Sequence, residues 1–324
     1  MNFPTSISKD VFYYWLLNLS SSFMISAAHN TLYFVLDFRT PVFHFMHHAF
    51  TCVFLVLMSW ATHFPHALPK PEALLAPVGV QCVITMMTAV VHSSEFVSVE
   101  RSLAIECVKR TRLTDVFSMI AVFKFLPANA DKFPRLGLML PLSIGASLSW
   151  LELGNLEYDT FGLLLSPFLG FLRGVHLVLM QKAYRQSGAT SCVQFATFFT
   201  GAVAAIFFVP AVISYSLTEV KADASWESID YTLIGLSFFF MICYKYSELF
   251  LTLNLDARIM MVLEHSKFFL GSLGQWFLQN MAHATIFSLC GKMLFVSSLL
   301  RFLARYTPEK NLKEVSFGRK VVQQ

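Results

Sequence analysis

Lys109, Arg110 and Arg112 sit in the first half of a stretch, 102–126, that is otherwise apolar enough to cross a bilayer. On an insertion scale each Lys or Arg at a helix centre costs roughly 2.5–3.5 kcal/mol, so three of them cost on the order of 8–10 kcal/mol. Cations held in such a place face a bundle interior or a water-filled cavity, where they neutralise an anionic ligand. The competing reading is a cytosolic loop between two shorter helices, with the cations snorkelling to the nearest surface. Neither Gly nor Pro interrupts the run from Ser102 to Phe123, so a continuous helix is the simpler expectation. A second deep cation is Lys267, ten residues into the apolar segment 257–279. Helical rise puts it about 15 Å deep, close to the midplane of a core of about 30 Å.

Other polar residues could do chemistry of a different kind. His44-Phe45-Met46-His47-His48 forms an HxxHH box. Membrane-bound fatty-acyl elongases carry such a box, and desaturases use several to hold a di-iron centre. Here there is one box, near the start of the chain, and His63 and His66 stand apart in a loop. Two adjacent histidines at a helix end are also ordinary interfacial residues. Lys245 has Glu248 one turn on, a spacing that favours simple pairing. Lys292 is deep in the last apolar segment and is a weaker candidate for ligand binding.

Composition sets the class that must position these groups. Hydrophobic residues make up 56% of the chain and charged residues 14%, with 34 Phe. A soluble domain carries nearer a quarter charged residues and lacks serial apolar runs of about 20, so a water-soluble enzyme is excluded. All six cysteines fall in apolar segments and none pairs in a CxxC, so neither a disulfide framework nor a zinc site is expected. The first ten residues lack the pattern of a cleaved signal peptide, so the first helix is expected to direct insertion. The sequon Asn18-Leu19-Ser20 lies inside that helix and is expected to stay unglycosylated.

Ten segments are long enough to span: 11–36, 41–60, 74–96, 102–126, 136–153, 161–184, 192–217, 231–251, 257–279 and 285–306. The expected fold is an all-α membrane protein, one transporter domain over 1–306 followed by a basic cytosolic tail, 307–324. With the N-terminus cytosolic, twelve loop and tail cations fall on that side and three, Arg39, Arg101 and Lys221, on the other. That asymmetry makes both termini cytosolic. Ten spans divide into five and five, about 1–155 and 156–306, and an odd number per half forces opposite orientations. This is the inverted-repeat layout of many transporters, and it makes the fourth segment's Lys109 and Arg110 the symmetry mates of Lys267.

These residues resemble the nucleotide-sugar transporters and triose-phosphate translocators of the drug/metabolite transporter superfamily, most nearly the UDP-sugar carriers. Asn30, Phe38-Arg39-Thr40-Pro41-Val42-Phe43 and His48 are similar to the family's first two helices, and Val108-Lys109-Arg110 to its Phe-Lys-Arg. Glu152, Phe161-Gly162 and Leu177-Val178-Leu179-Met180-Gln181-Lys182 resemble its fifth and sixth helices. Val262-Leu263-Glu264-His265-Ser266-Lys267 stands where the family has Val-Gly-x-x-x-Lys at its phosphate site. Glu264 replaces the usual Gly, Phe268 stands where triose-phosphate carriers have Arg, and His176 where many members have Arg. Phosphorylated C3 substrates are therefore not expected. Glu264 and His265 read either as marks of a changed substrate or as a salt-bridged Glu and a core His.

The resemblance implies an antiporter, not an enzyme, that exchanges a cytosolic nucleotide sugar for a lumenal nucleoside monophosphate in the Golgi or endoplasmic-reticulum membrane. Lys109, Arg110 and Lys267 would neutralise phosphates, and Tyr244 and His176 would meet base or sugar. His265, Ser266, Glu264 and Lys182 belong to its motifs, with Arg112, Lys292 and Asn30 as weaker members. The alternatives are a carrier of another organic anion or phosphorylated metabolite, and an elongase-like enzyme using the histidine box. A scaffold or receptor would gain nothing from buried cations. The expected partners are nucleotide sugar, nucleoside monophosphate and lipid bilayer, with a homodimer left open. No cofactor, metal or nucleic acid is expected. An empty site would leave its cations unpaired, which predicts slow return without cargo.

Overall fold

The computed structural model describes residues 9–35, 40–61, 70–96, 117–118, 120–122, 136–149, 160–217, 227–255, 257–278 and 285–305. Nine helices account for nearly all of these: α1 (Lys9–Val35), α2 (Thr40–Ala61), α3 (Pro71–Phe96), α4 (Leu136–Leu148), α5 (Thr160–Ser187), α6 (Cys192–Leu217), α7 (Ser228–Asn254), α8 (Ala257–Leu278) and α9 (Ile286–Arg305). No strand occurs among the described residues. The helices coincide with nine of the ten apolar segments. The segment 102–126, with Lys109, Arg110 and Arg112, lies outside the described residues apart from two short helical pieces, 117–118 and 120–122.

Local chemistry ends the helices where the sequence changes character. Gly188, at φ +71°, follows α5 in the left-handed conformation that closes helix C-termini without a Cβ clash. Ser191 then caps α6, its Oγ accepting the Gln194 amide at 3.1 Å. Glu227 N donates to Asp230 Oδ2 at 2.9 Å at the start of α7, and Thr285 Oγ1 accepts from Ser288 N at 3.1 Å at the start of α9. Gln181 reaches across from α5 to donate to Thr252 O (3.0 Å) and Leu255 O (2.6 Å), satisfying carbonyls that α7 leaves open at its end. α4 gives way to a turn at Ser149, short of the segment end expected at 153. The Ser149 carbonyl is taken instead by Ser272 Oγ (2.8 Å), Ser288 Oγ (2.8 Å) and Lys292 Nζ (3.1 Å).

The helices pack in pairs: α1 along α7, α3 along α5, α2 along α6 and α4 along α9, with α8 against α4. Glycines set the closest approach. A Cβ on Gly291 would lie 2.5 Å from Ser149 N, and one on Gly145 2.5 Å from Phe295 N, so α4 and α9 touch backbone to backbone. A Cβ on Gly174 of α5 would run into the Ser118 carbonyl. One apolar core joins Met139, Leu142, Phe250, Met260, Phe269 and Phe295; another joins Leu55, Val78, Met180, Phe195, Phe199 and Leu249.

The outward surface reverses the soluble pattern. Ile286 and Met293 on α9 are 76% and 74% exposed and Trp60 on α2 is 72% exposed, while Asn18, Thr51, Thr200, Ser237 and Ser247 are wholly buried. Large exposed apolar faces, with polar side chains buried between the helices beside the apolar cores, suit a lipid surround. Three stretches are long and apolar enough to cross a membrane by length and composition, Cys192–Ile213, Ser228–Asn254 and Ile286–Ala304. The chain is thus a helical protein consistent with membrane insertion.

Candidate functional site

Lys267 gathers several polar contacts inside the bundle. It projects from α8 and is only 8% exposed. Its Nζ donates to Asn18 Oδ1 of α1 and stands 2.6 Å from Glu264 Oε1, one turn back on its own helix. The same ammonium lies 5.5 Å from the centre of the Tyr244 ring of α7, within cation–π range. Asn18 is held in turn: its Nδ2 donates to Tyr244 O at 3.1 Å and to Ser247 Oγ at 3.0 Å. A buried cation with a carboxylate, an amide oxygen and an aromatic face around it meets the condition for keeping a charge out of water.

The polar cluster continues along α7. Tyr244 OH donates to Glu248 Oε1 at 3.2 Å, and Lys245 Nζ pairs with Glu248 Oε2 at 3.0 Å, the pairing its spacing predicts. Glu248 lies within electrostatic range of Lys245, Lys267 and His176. His176 of α5 feels Glu248 and Lys245 in return. Its Nε2 is buried without a hydrogen-bond partner among the described residues, and its ring is 6.0 Å from that of Phe199. Four helices therefore bring together Lys267, Glu264, Tyr244 and His176 from the sequence-derived set, with Lys245, Glu248 and Asn18. Chemically this is a site for ion pairing and hydrogen bonding beside an aromatic face.

The remaining candidates stand elsewhere. His265 is 1% exposed and faces α4, its Nδ1 at 2.6 Å from Met261 O and its Nε2 bonded to Ser143 Oγ. With Nδ1–H donating to the carbonyl, Nε2 accepts from the Ser143 hydroxyl. Both contacts are those of a core histidine. Ser266 Oγ is turned back onto Val262 O at 2.8 Å. Lys182 is exposed near the end of α5. Lys292 is buried in the separate knot around the Ser149 carbonyl, with Ser288 Oγ at 2.5 Å and the Trp276 ring centre at 5.4 Å. Lys109, Arg110, Arg112 and the side chain of Asn30 lie outside the described residues.

Of the histidine box, the His44 side chain lies outside the described residues, and His47 and His48 turn to different neighbours. His47 Nε2 is 3.4 Å from Ser237 Oγ and its ring packs edge-on to Phe238, both on α7, whereas the His48 ring stacks over Phe207 of α6 at 6.3 Å. Successive helical residues point about 100° apart, which sends the two rings to different neighbours. No group of three potential metal ligands occurs among the described residues.

Sequence reasoning missed Asn18, reading it only as an unused sequon. The available signal was a carboxamide in the middle of a 27-residue apolar helix, where a polar group must find a partner.

No family model and no curated sequence matches the chain. Among the solved structures similar to the chain is one described only as the crystal structure of a protein, with a TM-score of 0.59 at 12% sequence identity, covering 92% of this chain and 99% of that chain. At that identity the likeness concerns fold alone.

Proposed function

We propose that this chain is an alternating-access antiporter that exchanges a cytosolic nucleotide sugar for a lumenal nucleoside monophosphate across a Golgi or endoplasmic-reticulum membrane. The observation that carries this reading is Lys267, a buried cation at the meeting of α1, α7 and α8. Its expected depth at the midplane is where alternating-access carriers hold substrate. Tyr244 offers an aromatic face and His176 an unpartnered ring nitrogen beside it, fitting a ligand with a planar base and polar sugar groups. No covalent step is involved.

Helix pairing supports the five-plus-five inverted repeat. With 102–126 as the fourth span, α1 to α3 are spans one to three, α4 is the fifth, and α5 to α9 are the sixth to tenth. Advancing every span by five turns the α1–α7 pair into the α5–α3 pair, and the α2–α7 contact into the α6–α3 contact. The α2–α6 and α4–α9 pairs map onto themselves. An internal two-fold relation predicts these pairings, which include the most extensive ones among the described helices. The same repeat carries the expectation that Lys109 and Arg110, which lie outside the described residues, are the symmetry mates of Lys267. Both termini on the cytosolic side follow from the loop charges.

The test is a thermal-shift screen of the purified protein against nucleoside monophosphates, nucleotide sugars, triose phosphate and acyl-CoA. A ligand at 100 times its dissociation constant adds about 2.7 kcal/mol of stability. Stabilisation by one monophosphate and its matching nucleotide sugar, lost in Lys267→Ala, is the expected result. Stabilisation that survives in Lys267→Ala removes Lys267 from the site, and a response to acyl-CoA alone replaces transport with acyl-chain chemistry.

A further inference from the structure

Three groups crowd the Lys267 ammonium: Asn18 Oδ1 accepts a hydrogen bond from it, Glu264 Oε1 stands at 2.6 Å, and the Tyr244 ring centre lies at 5.5 Å. An incoming oxyanion must displace one of these partners. Asn18 is wholly buried and tied to α7 by two hydrogen bonds of 3.1 and 3.0 Å. Tyr244 is fixed through its hydroxyl to Glu248 at 3.2 Å. Glu264 differs from both. Its side chain is 23% exposed, and its Oε1 makes no hydrogen bond among the described residues, so the ion pair is what holds it to Lys267. It is also the one partner whose charge matches that of a phosphate oxygen, and it swings from the same helix that carries the cation.

We infer that Glu264 is the resident counter-ion of the unloaded carrier, exchanged on Lys267 for an oxyanion of the substrate. The inference rests on the transport reading above and changes its coupling. Slow return of an empty carrier requires a buried cation without compensation. Here the cation at the centre keeps a carboxylate within its own helix and reorients as a neutral pair. The carrier therefore returns without cargo, and net transport accompanies exchange. The loaded carrier leaves Glu264 free of Lys267, turned to the side on which it is already partly exposed.

The experiment uses the full chain in liposomes loaded in turn with labelled UMP, CMP, GMP or AMP. Efflux is measured into buffer alone and into buffer with the same unlabelled nucleotide. The wild-type ratio of net to exchange efflux is expected within about threefold of unity. In Glu264→Gln, whatever the absolute rates, that ratio falls at least tenfold, because the cation of the empty site has lost its contact carboxylate while Glu248 is engaged by Lys245 and Tyr244; Glu264→Asp, which keeps the charge, restores it in part. Wild-type efflux that requires external nucleotide overturns the inference without any variant, as does an unchanged ratio in Glu264→Gln. Absence of nucleotide efflux from the wild type under both conditions is a different result, and it overturns the transport reading itself.

Discussion

Asn18 and Lys267 should be energetically coupled although 249 positions separate them. In Asn18→Leu the Lys267 ammonium loses an acceptor in a buried setting. A hydrogen bond to a charged group contributes about 1.5–3 kcal/mol, and a neutral one about 0.5–1.5 kcal/mol. The two groups on α7 that Asn18 Nδ2 serves are otherwise satisfied, since Ser247 Oγ also donates to Cys243 O at 2.7 Å and to Tyr244 O at 3.0 Å. The orphan created by Asn18→Leu is thus the ammonium, and a loss of about 3 kcal/mol is expected. In a Lys267→Met background that orphan no longer exists, so Asn18→Leu should cost only about 1 kcal/mol. The coupling energy is then about 2 kcal/mol. Apolar area gained by the new Leu is the same in both backgrounds and cancels in the cycle. The assay is unfolding of the four proteins in mixed micelles titrated with SDS. A cycle that closes to within about 0.5 kcal/mol, the range of independent sites, would refute the contact.

Two further outcomes follow from the packing. Gly291→Ala places a methyl 2.5 Å from Ser149 N, where backbone cannot give way as a flexible side chain would, so overpacking should destabilise by about 1–3 kcal/mol. Gly274→Ala, with nothing within 4 Å, is the control and should be neutral or stabilising in a thermal melt; equal effects would mean α4 and α9 do not meet as described. Because His47 and His48 face different helices, EDTA or 1,10-phenanthroline should leave the melting temperature unchanged, and a chelator-induced drop would restore the metal-box reading.

What the sequence announced, it announced through long-range monotony. Apolar runs place the nine described helices, and the structure closes three of their ends with local chemistry, at Gly188, Ser191 and Thr285. Lys267 was legible from depth alone, and the Lys245–Glu248 pair from its spacing. The partners of Lys267 from α1 and α7 were not. Nothing in the neighbourhood of Asn18 says which cation it will meet, since that depends on α1 lying along α7 and α7 lying beside α8. The opposite orientations of His265 and Lys267 were hidden for a related reason. A motif written along one line places them two residues apart, but two steps of helix turn them to different neighbours, Ser143 on α4 and Asn18 on α1. The end of α4 at Ser149 likewise depends on donors from α8 and α9 that no local pattern could supply.

The sequon at Asn18 acquires a meaning from where that side chain ends up. The carboxamide nitrogen that would carry a glycan is Nδ2, the atom bonded to Tyr244 O and Ser247 Oγ in a wholly buried position. A glycan on Nδ2 would have no room in that wholly buried position, so glycosylation of Asn18 and assembly of the centre where α1, α7 and α8 meet exclude each other.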